Sequence, residues 1–260
     1  MNYASINMKY YGKVCIALKI DVMGVGFDNL TKSEFTARAQ TMLHEKQRGY
    51  VVTPNAEIVY EAIRDEDFRQ LLNDAALVLP DGAGVLLGAK ILGTPLKEKV
   101  AGIEFGEEIC RLLAQNGRRL YLLGGKPGVA ETAGEKLAQK YPGVVICGTA
   151  DGYFQDEPAV VAKINAAEPD VIFVCLGAPK QEKFIKTHFH ELSATLMLGL
   201  GGSLDGYAGI AQRAPKWMID LSLEWLYRLL KDPKRIGRMM RLPKFVLICV
   251  GEKRRRMKNG

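Results

Sequence analysis

Short apolar runs alternate with amphipathic stretches from residue 19 to residue 212. Strands are predicted at 19–25, 50–53, 76–80, 119–124, 144–148, 170–177 and 194–201. Helices are predicted at 56–72, 82–92, 102–115, 128–140, 158–167 and 179–191. An earlier helix is predicted to start at Thr31, where T-K-S-E forms a capping box. Continuous apolar strands between helices are typical of a parallel sheet covered on both faces, so we predict a doubly wound, Rossmann-like α/β fold.

The pattern changes after residue 212, where Trp217, Trp225 and Leu229 indicate an amphipathic helix and Pro233 and Pro243 restart the chain. We predict three parts: a poorly ordered extension at 1–18, an α/β core at 19–212, and a basic helical appendage at 213–260. The apolar runs are far shorter than the roughly 20 residues that span a bilayer. The first residues also lack a signal-peptide pattern, so we expect a cytoplasmic protein.

The net charge of +7 lies in this appendage. Residues 1–212 carry 22 Lys/Arg and 25 Asp/Glu, whereas residues 213–260 carry 14 and 4, a balance of +10. Because Trp, Leu, Ile and Met are interleaved with the charges, this composition favours binding to an anionic membrane surface. A solvated basic face remains an alternative, and no recognised nucleic-acid-binding motif is present.

Small polar residues follow two successive predicted strands. Ligands of parallel α/β sheets bind beyond the carboxyl ends of the strands, so such residues are the first candidates for a site. Asp81, between Pro80 and Gly82, could be a general base in a cleft or the N-cap of the next helix. Thr53 and Asn55 form the analogous junction one strand earlier, and Asn55 could likewise be a helix cap.

Glycine-rich turns follow later strands. The L-L-G-G-K-P-G run at 122–128 is similar to a phosphate-binding turn, but it is neither a Walker A loop nor G-x-G-x-x-G, which disfavours a nicotinamide enzyme. Tight strand-to-helix turns would explain the same glycines. Asp65-Glu66-Asp67 has the D-x-D spelling of metal-dependent glycosyltransferases, yet it is predicted to be a solvated helix junction. We predict no metal site, so cationic side chains or helix N-termini would have to neutralise a phosphate.

Together these residues resemble the WecG/TagA/CpsF family of bacterial glycosyltransferases over about residues 19–242. The resemblance is carried by VTPNAEIV (52–59), LPDGAGV (79–85), KVAGIEF (99–105), LLGGKPGV (122–129), DGYF (151–154), LGAPKQE (176–182), GLGGSLD (199–205), RAPKWM (213–218) and LEWLYRLLKDPKRI (223–236). Lys99 stands where the family usually has an arginine. The charge is kept, but the bidentate grip on phosphate is weakened.

The resemblance implies an inverting, metal-independent transfer from a UDP-sugar to undecaprenyl-diphosphate-linked N-acetylglucosamine, with no cofactor. In the teichoic-acid branch the sugar is N-acetylmannosamine, and the T-P-N sequence at 53–55 favours this branch. By this resemblance Asp81 would be the general base, and Thr53, Asn55 and Gln181 would position the substrates. The residues implied to bind the nucleotide-sugar are Lys99, Gly124, Gly125, Gly201, Gly202 and Asp205.

The resemblance further implies that Arg228, Arg235 and Arg238 contact the diphosphate of the acceptor while the appendage closes over the site. The expected partners are the UDP-sugar, the polyprenyl-linked acceptor and the inner face of the cell membrane, with no nucleic acid; a homo-oligomer is left open. Rival donors are UDP-N-acetylmannosaminuronic acid and UDP-glucose. Alternatives of another class are a nucleotide-dependent oxidoreductase and a basic nucleic-acid-binding module.

Overall fold

A computed structural model describes residues 10–11, 14–15, 18–212, 214–220, 224–231 and 236–259. The strands in these residues are β1 (Tyr10–Tyr11), β2 (Val14–Cys15), β3 (Lys19–Val22), β4 (Val25–Asp28), β5 (Gly49–Val52), β6 (Leu77–Val78), β7 (Arg119–Gly124), β8 (Val145–Ala150), β9 (Val171–Cys175) and β10 (Leu196–Gly199). The extension at 1–18, which was predicted to be poorly ordered, lies mostly outside the described ranges.

The helices lie mainly in the connections between these strands. They are α1 (Lys32–His44), α2 (Ala56–Ala62), α3 (Glu66–Asn73), α4 (Ala83–Leu92), α5 (Gly102–Asn116), α6 (Val129–Lys140), α7 (Glu157–Ala166), α8 (Lys180–Thr187), α9 (Ser203–Tyr207), α10 (Lys216–Asp220), α11 (Glu224–Lys231), α12 (Ile236–Met239) and α13 (Arg241–Asn259).

The central sheet has six strands in the order β6-β5-β10-β9-β7-β8, and every pair is parallel. Successive strand residues point to opposite faces, so each strand supplies two buried layers. Val52 packs in one layer with α2, α3, α4, α7, α8 and α13, whereas Val51 packs in the other with α1, α5, α6 and α9. The predicted doubly wound α/β fold is confirmed.

The run at 19–25 differs from its prediction as a single strand. It forms the antiparallel hairpin of β3 and β4, which lies outside the parallel sheet. The chain reverses because Met23 and Gly24 have φ of 57° and 87°, and two consecutive left-handed residues match the twist of a two-residue hairpin. Asp21 Oδ2 also accepts a hydrogen bond from the Gly24 N–H at 3.0 Å.

Local capping determines where two of the helices begin. Thr31 and Glu34 form the predicted capping box at the start of α1. The amphipathic stretch at 56–72 is divided into α2 and α3, because the Asp65 side chain accepts a hydrogen bond from the Phe68 N–H and caps a new helix. This cap confirms that Asp65-Glu66-Asp67 is a helix junction.

The last helix of the basic appendage packs on the core. Phe245 and Cys249 of α13 are fully buried in the layer that contains α2 and α4. Gly88 of α4 permits this approach, since a Cβ there would lie 2.8 Å from the Phe245 ring. Arg241, at the start of α13, forms ion pairs with Glu57 and Glu61 of α2. Among the described residues, no helix combines the length and apolarity needed to cross a membrane.

Candidate active site

The polar strand ends predicted from the sequence meet at one edge of the sheet. Thr53 follows β5 directly, and Asp81 lies just beyond β6, the neighbouring strand. The two connections are joined by a hydrogen bond from the Asp81 N–H to the Pro54 carbonyl at 3.3 Å. The Val100 N–H donates to the Pro80 carbonyl at 3.0 Å, which brings the segment that contains Lys99 to the same edge.

Asp81 is held at the amino end of helix α5. Its Oδ2 accepts a hydrogen bond from the Gly102 N–H at 3.3 Å, and Gly102 is the first residue of that helix. The partial positive charge at a helix N-terminus favours a negative charge there. The alternative that Asp81 caps the helix through Leu92 is wrong, because the N-cap of α4 is Gly82, whose φ is 92°.

Thr53 touches the same helix start. A Cβ on Gly102 would lie 3.2 Å from both Oγ1 and Cγ2 of Thr53, so a larger residue at 102 would push this side chain aside. Thr53 is itself buried, and its hydroxyl donates to the Gly199 carbonyl at 2.9 Å. Gly102 is thus a site residue that the sequence did not single out, although it stands inside the KVAGIEF motif.

Asn55 has the capping role that its position suggested. Its Oδ1 accepts a hydrogen bond from the Ile58 N–H at 3.0 Å, which caps α2. A Cβ on Gly82 would lie 3.9 Å from the Asn55 Cβ, so the side chain lies beside the Asp81 connection. Contact between Asn55 and a substrate stays a prediction.

Gln181 lies beneath the turn that follows β10. It is 2% exposed, and its Oε1 accepts a hydrogen bond from the Gly201 N–H at 2.9 Å. Its Nε2 donates to Oε1 of Glu182 at 2.8 Å. We call residues 199–203 the glycine turn. Thr53 holds it through the Gly199 carbonyl and Gln181 holds it through the Gly201 N–H, so both predicted residues support the turn that carries the predicted nucleotide-binding Gly201 and Gly202 and leads to Asp205.

Gly124 is the last residue of β7, which is paired with β9 in the sheet, and Gly125 follows it. Gly124 has φ of 130°, and a Cβ there would clash with the Cys175 carbonyl of β9, so close strand packing accounts for this glycine. Gly125 has φ of 73°, and its carbonyl accepts a hydrogen bond from the Gly152 N–H at 2.9 Å. A tight turn therefore explains these positions locally, and phosphate binding by them stays a prediction.

The predicted diphosphate-binding arginines belong to the appendage. Arg228 lies on α11 and Arg238 lies on α12, whereas Arg235 is outside the described residues. Within the described ranges, no group of three or more His, Cys, Asp or Glu side chains has an arrangement that could hold a metal ion.

Two clefts lie away from this edge. One, of about 250 Å³, is lined by residues at the amino end of β5, including Arg48, Asp74 and Lys186. Its charges are already used, because Lys186 pairs with Asp74 and Arg48 donates to backbone carbonyls. The other, of about 160 Å³, lies between α5, α6 and α9. The chemistry of the charged groups therefore favours the carboxyl edge of the sheet over the first cleft.

Comparison with known proteins identifies the family of the chain. The profile of the glycosyl transferase WecG/TagA/CpsF family matches residues 20–259. A Bacillus subtilis (strain 168) protein is 37% identical over 212 residues, which cover 82% of this chain and 83% of that protein. A Staphylococcus aureus (strain MW2) protein is 36% identical over 240 residues, which cover 91% and 94%. Both are named N-acetylglucosaminyldiphosphoundecaprenol N-acetyl-beta-D-mannosaminyltransferase. The chain belongs to the WecG/TagA/CpsF family of glycosyl transferases.

Proposed function

We propose that the chain transfers N-acetylmannosamine from UDP-N-acetylmannosamine to undecaprenyl-diphosphate-N-acetylglucosamine, with inversion and without a metal ion, in the synthesis of the wall teichoic acid linkage unit. The names of the two bacterial relatives support this acceptor and this sugar. The observation that carries the proposal is the meeting of Asp81 and Thr53 at the amino end of α5. UDP-N-acetylmannosaminuronic acid and UDP-glucose remain the rival donors.

Asp81 is the proposed general base. Its carboxylate removes the proton from the acceptor hydroxyl as that oxygen bonds to the anomeric carbon of the donor sugar. The bond from this carbon to the phosphate oxygen breaks on the opposite face, and UDP leaves with the electron pair. The Gly102 N–H, which donates to Oδ2 of Asp81, supports this role because it fixes the position of the carboxylate.

The departing UDP and the acceptor diphosphate both need positive charge. The proposed sources are Lys99, on the segment joined to Pro80, and the appendage arginines Arg228, Arg235 and Arg238. In this proposal Asn55 and Gln181 help to position the substrates. The turns at Gly124–Gly125 and Gly201–Asp205 hold the nucleotide through backbone N–H groups. Cations placed where charge develops can stabilise the transition state substantially.

The appendage is also the proposed contact with the inner face of the cell membrane. Its balance of +10 suits an anionic leaflet, where each basic residue contributes about 1 kcal/mol. Trp217 and Trp225 are exposed, and tryptophan is favoured at membrane interfaces. These two features support peripheral binding close to the lipid-linked acceptor.

The test is transfer of radiolabelled sugar from a panel of UDP-sugars to a short-chain polyprenyl-diphosphate-N-acetylglucosamine, in the presence of EDTA. We expect transfer from UDP-N-acetylmannosamine and an inverted anomeric configuration in the product by NMR. Asp81→Asn should lower turnover by about 10²–10⁴-fold while donor binding is largely kept, because only the proton acceptor is removed.

Asp65→Asn is the matched control. Asn caps a helix about as well as Asp, so this variant should transfer sugar at the wild-type rate. Turnover of Asp81→Asn near the wild-type value would remove Asp81 as the base. Loss of transfer in EDTA, restored by a divalent cation, would contradict the metal-independent mechanism.

A further inference from the structure

A buried carboxyl group lies beside the site. Glu182 is 1% exposed, and its Oε1 accepts the hydrogen bond from Gln181 Nε2 at 2.8 Å. Its Oε2 has no hydrogen-bond partner within the described part of the chain. An unpaired buried polar atom is costly, and an apolar side chain of similar size would avoid that cost. The carboxyl group therefore calls for a reason other than packing.

The Gln181 amide supplies that reason. Its Oε1 receives the Gly201 N–H at 2.9 Å, so its Nε2 faces the other way, towards Glu182. If Glu182 were absent, the buried Nε2 would lose this acceptor, and the amide would lose one of the two hydrogen bonds that hold its orientation. Reorientation of the amide would in turn release the Gly201 N–H. Glu182, Gln181 and the glycine turn thus form one chain of hydrogen bonds.

We propose that Glu182 is a positioning residue, which holds the Gln181 amide in one orientation and thereby fixes the glycine turn for the UDP-sugar. The ligand part of this inference rests on the proposed function, whereas the hydrogen-bond chain does not. The turn is also held on its other side by Thr53, through the Gly199 carbonyl. Loss of Glu182 should therefore loosen the turn at Gly201 without unfolding the sheet edge.

Glu182 can act as an acceptor in its neutral form. Burial raises the pKa of its carboxyl group; the hydrogen bonds from Gln181 and from its own backbone N–H lower this pKa, and the charge of Glu61 raises it. A neutral carboxylic acid still presents a carbonyl oxygen to Gln181 Nε2. Glutamine has the same shape and the same carbonyl, so Glu182→Gln should preserve the hydrogen-bond chain.

The test compares Glu182→Ala with Glu182→Gln in the full chain. We expect Glu182→Ala to raise the KM for the UDP-sugar about tenfold with a smaller change in kcat, because one buried hydrogen bond that orders the donor site is lost. Glu182→Gln should restore KM. A purely structural role would instead predict that both variants lose stability and activity together.

Two further measurements separate this role from general destabilisation. Gln181→Ala should make the Glu182→Ala change nearly silent, since Glu182 acts through Gln181; full additivity in this double-mutant cycle would overturn the proposal. Ile164→Ala, which removes a fully buried side chain from α7, is the control for lost stability and should leave KM unchanged. If Glu182→Ala does not fold, a folded Glu182→Gln whose KM has risen tenfold overturns the proposal by itself.

Hydrogen exchange of peptides that cover 199–207 measures how well the backbone N–H groups of the glycine turn are protected, without any substrate. Exchange at Gly201 should become faster in Glu182→Ala and remain slow in Glu182→Gln. Unchanged exchange in Glu182→Ala would overturn the positioning role. Failure of the wild-type chain to use any UDP-sugar would contradict the proposed function, while slow exchange at the turn that depends on Glu182 would still support the hydrogen-bond chain.

Discussion

The two halves of the basic appendage differ in what they do with their apolar side chains. In α13, Phe245 and Cys249 are fully buried against the core. In the described residues before α13, Trp217, Trp225, Leu230, Ile236 and Met240 are exposed, whereas Met218 of α10 is buried. Similar interleaving of basic and apolar residues therefore has two outcomes. The last helix is anchored to the fold although it also exposes Leu247 and Met257, whereas most of the exposed large apolar side chains lie before it.

This difference suggests that α13 anchors the appendage and that the residues before it are available for contact with a membrane. Helix α13 packs on α2 and α4, and these helices begin close to Asn55 and Asp81. An anchor there would keep the segment that carries Arg228 and Arg238 near the site. The exposed tryptophans would remain available for a membrane.

The largest effect is expected from Phe245→Ala. It removes a fully buried ring from the contact between α13 and α4, so the free energy of unfolding should fall by about 3–5 kcal/mol. Trp217→Ala, in the exposed half, should change it by less than about 1 kcal/mol. Urea denaturation measures both values. A small loss for Phe245→Ala would mean that α13 is not anchored as described.

Two glycine-to-alanine substitutions test the same packing and should change the free energy of unfolding in opposite directions. Gly88→Ala should cost about 1–3 kcal/mol, because its Cβ would crowd the Phe245 ring. Gly251→Ala, in α13, should stabilise the fold by about 0.5–1 kcal/mol, since nothing lies within 4 Å of its added Cβ and alanine favours a helix. Thermal denaturation measures both effects. A rise in both melting temperatures would contradict the close packing of α13 on α4.

The exposed half should control membrane binding. Replacing both Trp217 and Trp225 by Ser should weaken binding to vesicles that contain anionic lipid by about tenfold or more, because burial of one large apolar side chain contributes about 1.5–3 kcal/mol. Leu247→Ser, on α13, should have a smaller effect although Leu247 is 70% exposed. Sedimentation with vesicles gives the comparison. Equal loss in both variants would remove the distinction between the two halves.

The smallest effect is expected from Arg241→Met. Arg241 pairs with Glu57 at 3.3 Å and with Glu61, and all three side chains are about one-third exposed. Partly exposed ion pairs contribute about 0.2–1 kcal/mol, and salt screens them. The loss of stability should therefore be near this range at low salt and shrink in 1 M NaCl. A salt-independent loss would assign the effect to packing of the arginine stem.

Much of the fold could be predicted because its signals are local. Apolar runs and capping residues identified β7 to the residue, and α4 and α5 to within one residue at each end. The hairpin of β3 and β4 was missed, since its turn contains Met23-Gly24 instead of a strong hairpin dipeptide such as Asn-Gly. The junction between α2 and α3 was predicted at Asp65-Glu66-Asp67 although the apolar period continues across it, because an acidic run interrupts the stretch where Asp65 caps the second helix.

The sequence was enough to predict which strand ends carry the candidate residues. It was not enough to predict which side chains contact each other there. The rule that ligands bind beyond parallel strands selected Thr53 and Asp81 without any coordinates. The role of Gly102 depends on α5 starting beside β6, which residue types at 99–105 do not reveal. Glu182 stands next to Gln181 in the sequence, yet that neighbourhood reveals neither its burial nor its unpaired oxygen.

The sequence by itself determined the α/β class, the positions of the candidate residues at strand ends, and the concentration of positive charge after residue 212. These properties follow from periodicity and composition, which are local. Only the tertiary structure decided that Asp81 meets the start of α5, that Thr53 reaches a carbonyl 146 residues away, and that α13 is anchored while α10 and α11 expose their tryptophans. Each of these contacts joins segments that the apolar pattern treats as independent, because burial depends on which surfaces meet.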